Sequence, residues 1–233
     1  EAGVDYSTDG PDGRSGVAMA FFSPDRKTLK NALLGRMGQN VLTAPTARAF
    51  AVSGGESYDL GKKLSFFGDG HERAVNKFGR RMWSVPLMGG DFLVEAEVGI
   101  SKGASGNFQI FSAGEFPDVA LRAAAAIRDV KGAITPFPLG VCASGSKLGS
   151  KYSFLSASTD SGKCPSIKGN ELPRGVRSVY EIVIDAVDLE TLKRAMKAGI
   201  GACGDPSTVL ITAGNFGGKL GSVKIYLKEL MRK

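Results

Sequence analysis

The chain has little of what metal, redox and disulfide chemistry require. One histidine, His71, and three cysteines, Cys142, Cys164 and Cys203, stand among 233 residues. A single histidine excludes any site built on two His ligands. The cysteines are too few and too widely spaced for a disulfide framework or a zinc knuckle, so no metal site is expected. A Cys–His pair would need His71 to meet a cysteine in space, and no spacing supports that. Cys203 falls on the apolar stripe of a predicted helix and reads as a core thiol, whereas Cys164 precedes Pro165 in a loop. This cysteine usage fits a reducing, cytoplasmic setting. No apolar run is long enough to span a bilayer, and no secretory leader is visible. The chain starts Glu1-Ala2-Gly3 and lacks an initiating Met. With its first strand expected only at Gly16, it reads as a truncated or processed product.

Glycine, in contrast, is plentiful. The 32 glycines are about twice the usual share of ~7%, and they are scattered through turns and strand ends rather than gathered in a linker. A hydrophobic content of 42% suits a packed globule, and the length allows one large domain or two small lobes. The 30 basic and 23 acidic side chains leave a net charge of +7. The basic residues are dispersed, with only short pairs such as Lys62-Lys63 and Arg80-Arg81. There is no aromatic–basic signature of RNA binding. An anionic small molecule therefore fits the charge better than a polynucleotide.

Periodicity predicts a strand over Val17–Phe22. A helix follows, capped by Ser23 with Pro24 at its first position, and Gly38 marks its end. Residues 41–50 form a turn-rich connector broken by Pro45. Strand-like pieces are expected at 63–67 and 81–87, and 91–98 pairs with the latter across Gly89-Gly90. The second half has a cleaner rhythm. A strand at Asn107–Phe111 precedes a helix opened by Pro117, with Ala120, Ala124 and Ile127 on one face. Strands follow at Leu139–Ala143 and around Glu181. Asp188 caps a helix whose apolar face is Leu189, Leu192, Met196, Ile200 and Cys203. Val209–Ala213 and Val223–Leu227 close the order. Strand–helix–strand repeated twice is the split βαβ, or ferredoxin-like, pattern. The expected fold is α+β, with two such lobes sharing a cleft: residues 1–103, incomplete at the N-terminus, and 104–233.

Glu181 is the residue that most invites a chemical reading. It lies inside the apolar run Val179–Ile184, on the strand face that also carries Val179 and Val183, and both faces of that strand read as apolar. A carboxylate there meets a desolvation cost unless it is hydrogen-bonded, paired or protonated, which makes it a candidate for acid–base work near neutral pH. Periodicity equally allows a half-solvated strand with Glu181 and Asp185 turned to water.

Six segments in order carry a resemblance that spans nearly the whole chain. They are PDGRSGV at 11–17, LTAPTARAF at 42–50, KLSFFGDG at 63–70, ASGSKLGSKY at 143–152, NELPRGVRSVYEIVID at 170–185 and AGNFGGKLG at 213–221. Together they resemble the formylmethanofuran–tetrahydromethanopterin N-formyltransferases. The resemblance implies reversible formyl transfer between the amine of methanofuran and N5 of tetrahydromethanopterin. The setting would be methanogenesis or methylotrophic formaldehyde oxidation. It also implies two C1-carrier substrates without a tightly bound cofactor, a homo-oligomer (dimer or tetramer), and in some methylotrophs a place in a formyltransferase/hydrolase complex. A strand–helix–strand segment upstream of the first residue is a further implication. The family motif carries a glutamate at the position of Glu181, which points to that residue as the proton shuttle. His71 stands where an aromatic such as Tyr is implied, and Leu139 departs from a Gly-Gly.

Formyl transfer needs a proton shuttle, donors to an oxyanion and walls that exclude water. The loop 144–151 offers Ser144, Ser146, Lys147 and Lys151, with hydroxyls, ammonium groups and unhindered backbone donors for an oxyanion or anionic tails. It lacks the GxxxxGK[ST] spacing of a P-loop, and a solvated surface loop is the plainer reading. Asn215, Phe216, Gly217, Gly218 and Lys219 form a second candidate, where Phe216 can stack on a pterin or aryl ring; a hairpin turn with a core Phe accounts for the same residues. Phe66 and Phe67 can form an apolar wall, while Asp69 either meets a pterin amino group or caps its own turn. Thr43 and Thr46 either line a cleft or belong to a rigid connector. A non-catalytic ferredoxin-like binding module for anionic ligands or nucleic acid is the competing reading from another class.

Overall fold

A computed structural model describes all residues except 53, 68, 146, 151, 152, 158, 159, 214–220 and 233, and omits the side chains of 65–67 and 161. The chain divides into two compact units, Glu1–Lys102 and Gly103–Lys233.

The first unit opens with β1 (Ala2–Asp9) and β2 (Ser15–Phe21), an antiparallel hairpin that pairs Ala2 with Phe21 and Asp9 with Ser15, its register shifting between Val4 and Tyr6. A strand before Gly16 was not expected. None of its residues is buried and they carry no alternation, so ladder pairing rather than burial defines it. Helix α1 (Arg26–Arg36) is capped by Asp25, not Ser23, and the Asp25 carboxylate accepts from Thr28 N at 2.9 Å. Gly38 does not end the helical path, which widens into a π turn over Met37–Val41. The remaining strands are β3 (Arg48–Ala49), β4 (Glu56–Asp59), β5 (Arg73–Lys77), β6 (Arg80–Leu87), β7 (Gly90–Glu95) and β8 (Glu97–Ile100). Among the described residues they form a sheet in the order β3-β7-β6-β5 and a separate β4-β8 pair. The β6–β7 hairpin turns at the expected glycines, with Leu87 opposite Gly90.

Residues 63–67 are not a strand. Lys62–Phe67 is a 3₁₀ helix, with Leu64 N donating to Gly61 O at 3.0 Å. Leu60 and Leu64, four residues apart, are both buried. That is helical spacing, and Asp59 receives Lys62 N at 3.2 Å at the helix start.

The second unit contains β9 (Ala104–Ser112), α2 (Asp118–Arg128), β10 (Ala133–Ile134), β11 (Cys142–Ala143), β12 (Ser178–Ala186), α3 (Leu189–Gly201), β13 (Thr208–Thr212) and a helical turn, α4 (Leu227–Leu230). The sheet runs β10-β12-β9-β13, with β11 also along β12, and every pairing is antiparallel. One face carries the core. Phe108 and Ile110 of β9 and Ile182, Ile184 and Ala186 of β12 pack with Val119, Ala123 and Ile127 of α2 and Leu192, Ala195 and Met196 of α3. Each large side chain so buried contributes about 1.5–3 kcal/mol. Asp188 starts α3 as expected, accepting Thr191 N at 2.7 Å, and Cys203 is buried in this core.

Two expected strands are corrected. Leu139 adopts φ 58° in a 3₁₀ turn over Pro138–Gly140 and is exposed, so pairing resumes only at Cys142. Residues 223–227 form no strand: the chain enters a helical turn at Leu227, and Val223 and Tyr226 are exposed.

Candidate functional site

A β-strand points alternate side chains to opposite faces. Because β9 and β12 commit Phe108, Ile110, Ile182 and Ile184 to the helices, Asn107, Gln109, Glu181 and Asp185 take the other face. That face is mixed: Val179 and Val183 share it with Glu181, as expected, and Phe111 lies opposite Val179, while Asn107, Gln109 and Asp185 make the rest of it polar. The register places one transverse row on it: Cys142 opposite Glu181, Glu181 opposite Gln109, and Gln109 opposite Thr212.

Glu181 is half-buried. Asn107 Nδ2 donates to its Oε1 at 2.6 Å, and Ser144 hydrogen-bonds the same carboxyl. Burial raises the Glu181 pKa above the ordinary carboxylate value, while the bonds from Asn107 and Ser144 pull it back in part. On β11 the Cys142 thiol is pushed up to about 11, first by burial and second by the Glu181 charge, and it contacts the Glu181 carbonyl at 3.4 Å. Gln109, 2% exposed, donates to Ser144 Oγ at 2.7 Å and accepts from Thr212 Oγ1 at 3.2 Å. Farther along β12, buried Asp185 accepts a short bond from Ser105. A carboxyl held in this way can exchange a proton above the ordinary carboxylate range while fixed donors orient it.

Beside the row lies a cavity of about 220 Å³, lined by Gln109, Phe111, Ser144, Lys163, Cys164 and Arg177 among others. Lys163 is paired with Asp160 at 3.2 Å and Arg177 with Glu115 at 3.2 Å.

The expected residues are distributed as follows. Glu181 and Ser144 come together, and Lys147 is exposed in the loop beyond Ser144. Ser146, Lys151, Asn215, Phe216, Gly217, Gly218 and Lys219 lie outside the described residues, as do the side chains of Phe66 and Phe67. Asp69 accepts its own turn's His71 N at 3.0 Å. Thr43 bonds back to Gln39 O at 2.7 Å, and Thr46 is exposed with φ 62°. Sequence reading missed Asn107, Gln109 and Thr212. Two amides spaced by two in the otherwise apolar run Asn107–Phe111 were the available signal.

The folded pKa of Glu181 is raised, so its contribution to stability is complete below the ordinary Glu value. That contribution is lost as pH rises through the raised folded value. The melting temperature of Glu181→Gln should therefore gain on that of wild type as pH rises through this window. A difference that stays constant with pH would mean that the carboxyl titrates normally.

Residues 1–87 match the family model for formylmethanofuran–tetrahydromethanopterin formyltransferase, and residues 90–230 match that of its proximal lobe. The chain belongs to this formyltransferase family. The formyltransferase of Methanopyrus kandleri is 48% identical over 245 residues, covering 99% of this chain and 82% of that protein. The formyltransferase of Methanothermobacter thermautotrophicus is 46% identical with the same coverage. Among solved structures, the formyltransferase from Methanosarcina barkeri superposes with a TM-score of 0.86 at 43% identity, over 99% of this chain and 82% of that one. The formyltransferase/hydrolase complex from Methylorubrum extorquens, in complex with methylofuran, gives 0.86 at 34% identity, over 100% and 82%. Among the described residues of this formyltransferase family member, no helix is long and apolar enough to cross a membrane, and no three His, Cys, Asp or Glu side chains converge as metal ligands do.

Proposed function

We propose that the chain moves a formyl group reversibly between the amine of methanofuran and N5 of tetrahydromethanopterin, with Glu181 as the proton shuttle. Family membership along both units supports the reaction. The observation that carries the site is a half-buried carboxyl, its pKa raised by burial, on a sheet face of mixed character with two donors aimed at it. In the forward direction N5 attacks the formyl carbon and a C–N bond forms. N5 loses its proton, the methanofuran nitrogen gains one, and the C–N bond to that nitrogen breaks. The Glu181 carboxylate takes the first proton and its acid form returns one, so no net proton is consumed. Both carriers are substrates, and no tightly bound cofactor takes part. The assay is formyl transfer from formylmethanofuran to tetrahydromethanopterin. Turnover is expected, and a folded protein without turnover would overturn the reading.

The remaining site residues belong to this proposal. Ser144, Ser146, Lys147 and Lys151, the segment Asn215–Lys219, the wall of Phe66 and Phe67, and Asp69, Thr43 and Thr46 contact the two carriers. Lys147→Ala should raise a Michaelis constant severalfold with little change in turnover, because an exposed ammonium adds binding rather than chemistry. Unchanged Michaelis constants would remove Lys147 from the site.

We further propose that the second lobe, from residue 104, follows the split βαβ plan and that the first follows a related one. The order β10-β12-β9-β13, with helices between β9 and β10 and between β12 and β13, supports this. A homo-oligomer in the cytoplasm is part of the same reading, and the exposed apolar side chains Val4, Val17 and Met19 along the β1–β2 hairpin favour a covered surface there. The likeness to the Methylorubrum complex favours a second reading, in which the same transfer feeds formate release by partner subunits. Formate release that depends on added partner would distinguish it.

A further inference from the structure

We propose that Gln109 is a positioning residue that sets the direction of a hydrogen-bond chain from Thr212 through Ser144 to the Glu181 carboxyl. This rests on the role of Glu181 given above.

The argument is one of donors and acceptors. Gln109 lies directly opposite Glu181 on β9, yet its amide bonds elsewhere. Its Oε1 accepts from the Thr212 hydroxyl at 3.2 Å, and its Nε2 donates to Ser144 Oγ at 2.7 Å. An amide has one accepting end and one donating end. Thr212 and Ser144 take opposite ends of that amide, the hydroxyl of Thr212 the accepting end and Ser144 Oγ the donating end. Because Ser144 Oγ accepts from Gln109, its own proton is directed to the Glu181 carboxyl, to which it is bonded. In the reverse arrangement the amide oxygen would take the Ser144 proton. The hydroxyl would then offer the carboxylate only lone pairs. The backbone also holds Ser144, since its N donates to Val179 O at 3.1 Å. With Asn107 Nδ2 at 2.6 Å, two donors converge on one carboxyl.

Both donors favour the ionised form, the state in which Glu181 is left after protonating the leaving amine. Burial favours the neutral form. The chain thus keeps both states within reach. Among the described residues, β9 presents only the neutral amides of Asn107 and Gln109 to Glu181. The titratable group on β11 is the Cys142 thiol, neutral with a pKa of about 11.

The test uses Thr212→Val, Gln109→Leu and Ser144→Ala in the full chain, with folding checked by circular dichroism. The readouts are kinetics and the titration midpoint of ¹³C-labelled Glu181 Cδ. Each variant should raise the midpoint. Each should also lower kcat by about 10- to 100-fold, the scale expected for a mispositioned catalytic group, while KM changes far less. The Gln109→Leu and Ser144→Ala effects should not add, because both break one chain. Thr212→Ser keeps the hydroxyl and should restore both readouts. Wild-type midpoints and kcat in Thr212→Val and Gln109→Leu, or a loss that Thr212→Ser fails to restore, would overturn the proposal. The midpoint reads the chain without turnover, so failure of the formyl-transfer reading would be seen separately, as a normal chain in an inactive wild type.

Discussion

Glu181→Gln is expected to lower kcat for formyl transfer by about 10²- to 10⁴-fold, the usual worth of a positioned general acid–base. The substitution is nearly isosteric. The new amide oxygen can still accept from Asn107 Nδ2, which lies 2.6 Å from Oε1 in wild type, so the surrounding donors keep a partner. The proton is what disappears. KM for either carrier should therefore change little, since an interaction used only in the transition state lowers kcat and kcat/KM together. Steady-state kinetics with both substrates varied checks this. Turnover within about threefold of wild type would remove Glu181 from the chemistry.

Phe108→Ala should cost about 3–5 kcal/mol of stability, the range for deleting a buried aromatic ring. Phe108 is fully buried on the helix-facing side of β9. Its ring reaches α3 at Gly199, where an added Cβ would lie 3.0 Å from Phe108 Cζ and 2.7 Å from Ile127 Cδ1. The glycine lets strand and helices approach closely, so removing the ring leaves a hole that α3 cannot fill without parting from α2. Phe108 also lies between Asn107 and Gln109, and a shift of β9 would disturb both amides on the opposite face. Urea unfolding checks the stability effect. A midpoint near wild type would show that the helices close over the gap.

The two halves of the chain were not equally legible. In the second unit apolar spacing and caps coincide. Asp188 followed by Leu192 and Met196 specifies α3, and β9 and β12 alternate as strands do. The errors fall where burial does not drive the local structure. No residue of β1 is buried, and pairing with the next strand, β2, rather than an apolar face defines it. At 63–67 the aromatic run suggested a strand, although the buried pair Leu60 and Leu64 keeps helical spacing. Leu139 occupies a left-handed turn, a choice its side chain does not announce.

The site divides in a similar way. Glu181 stood out because a carboxylate interrupts an apolar strand. Of its partners only Ser144 was read, as a loop hydroxyl; Asn107, Gln109 and Thr212 were not, because they are distant in sequence from Glu181 and meet it only through cross-strand register. Asp69 was ambiguous between ligand contact and turn cap, and its bond to His71 N supplies the local use.

The central claim is that the fold raises the Glu181 pKa above the ordinary carboxylate value and so readies the carboxyl to exchange a proton. It is tested most directly by NMR titration of the protein labelled with ¹³C at glutamate Cδ, with the resonance assigned by its loss in Glu181→Gln. The account predicts a Glu181 midpoint clearly above the ordinary glutamate value of about 4.3. A Glu181 midpoint at or below that ordinary value would contradict it.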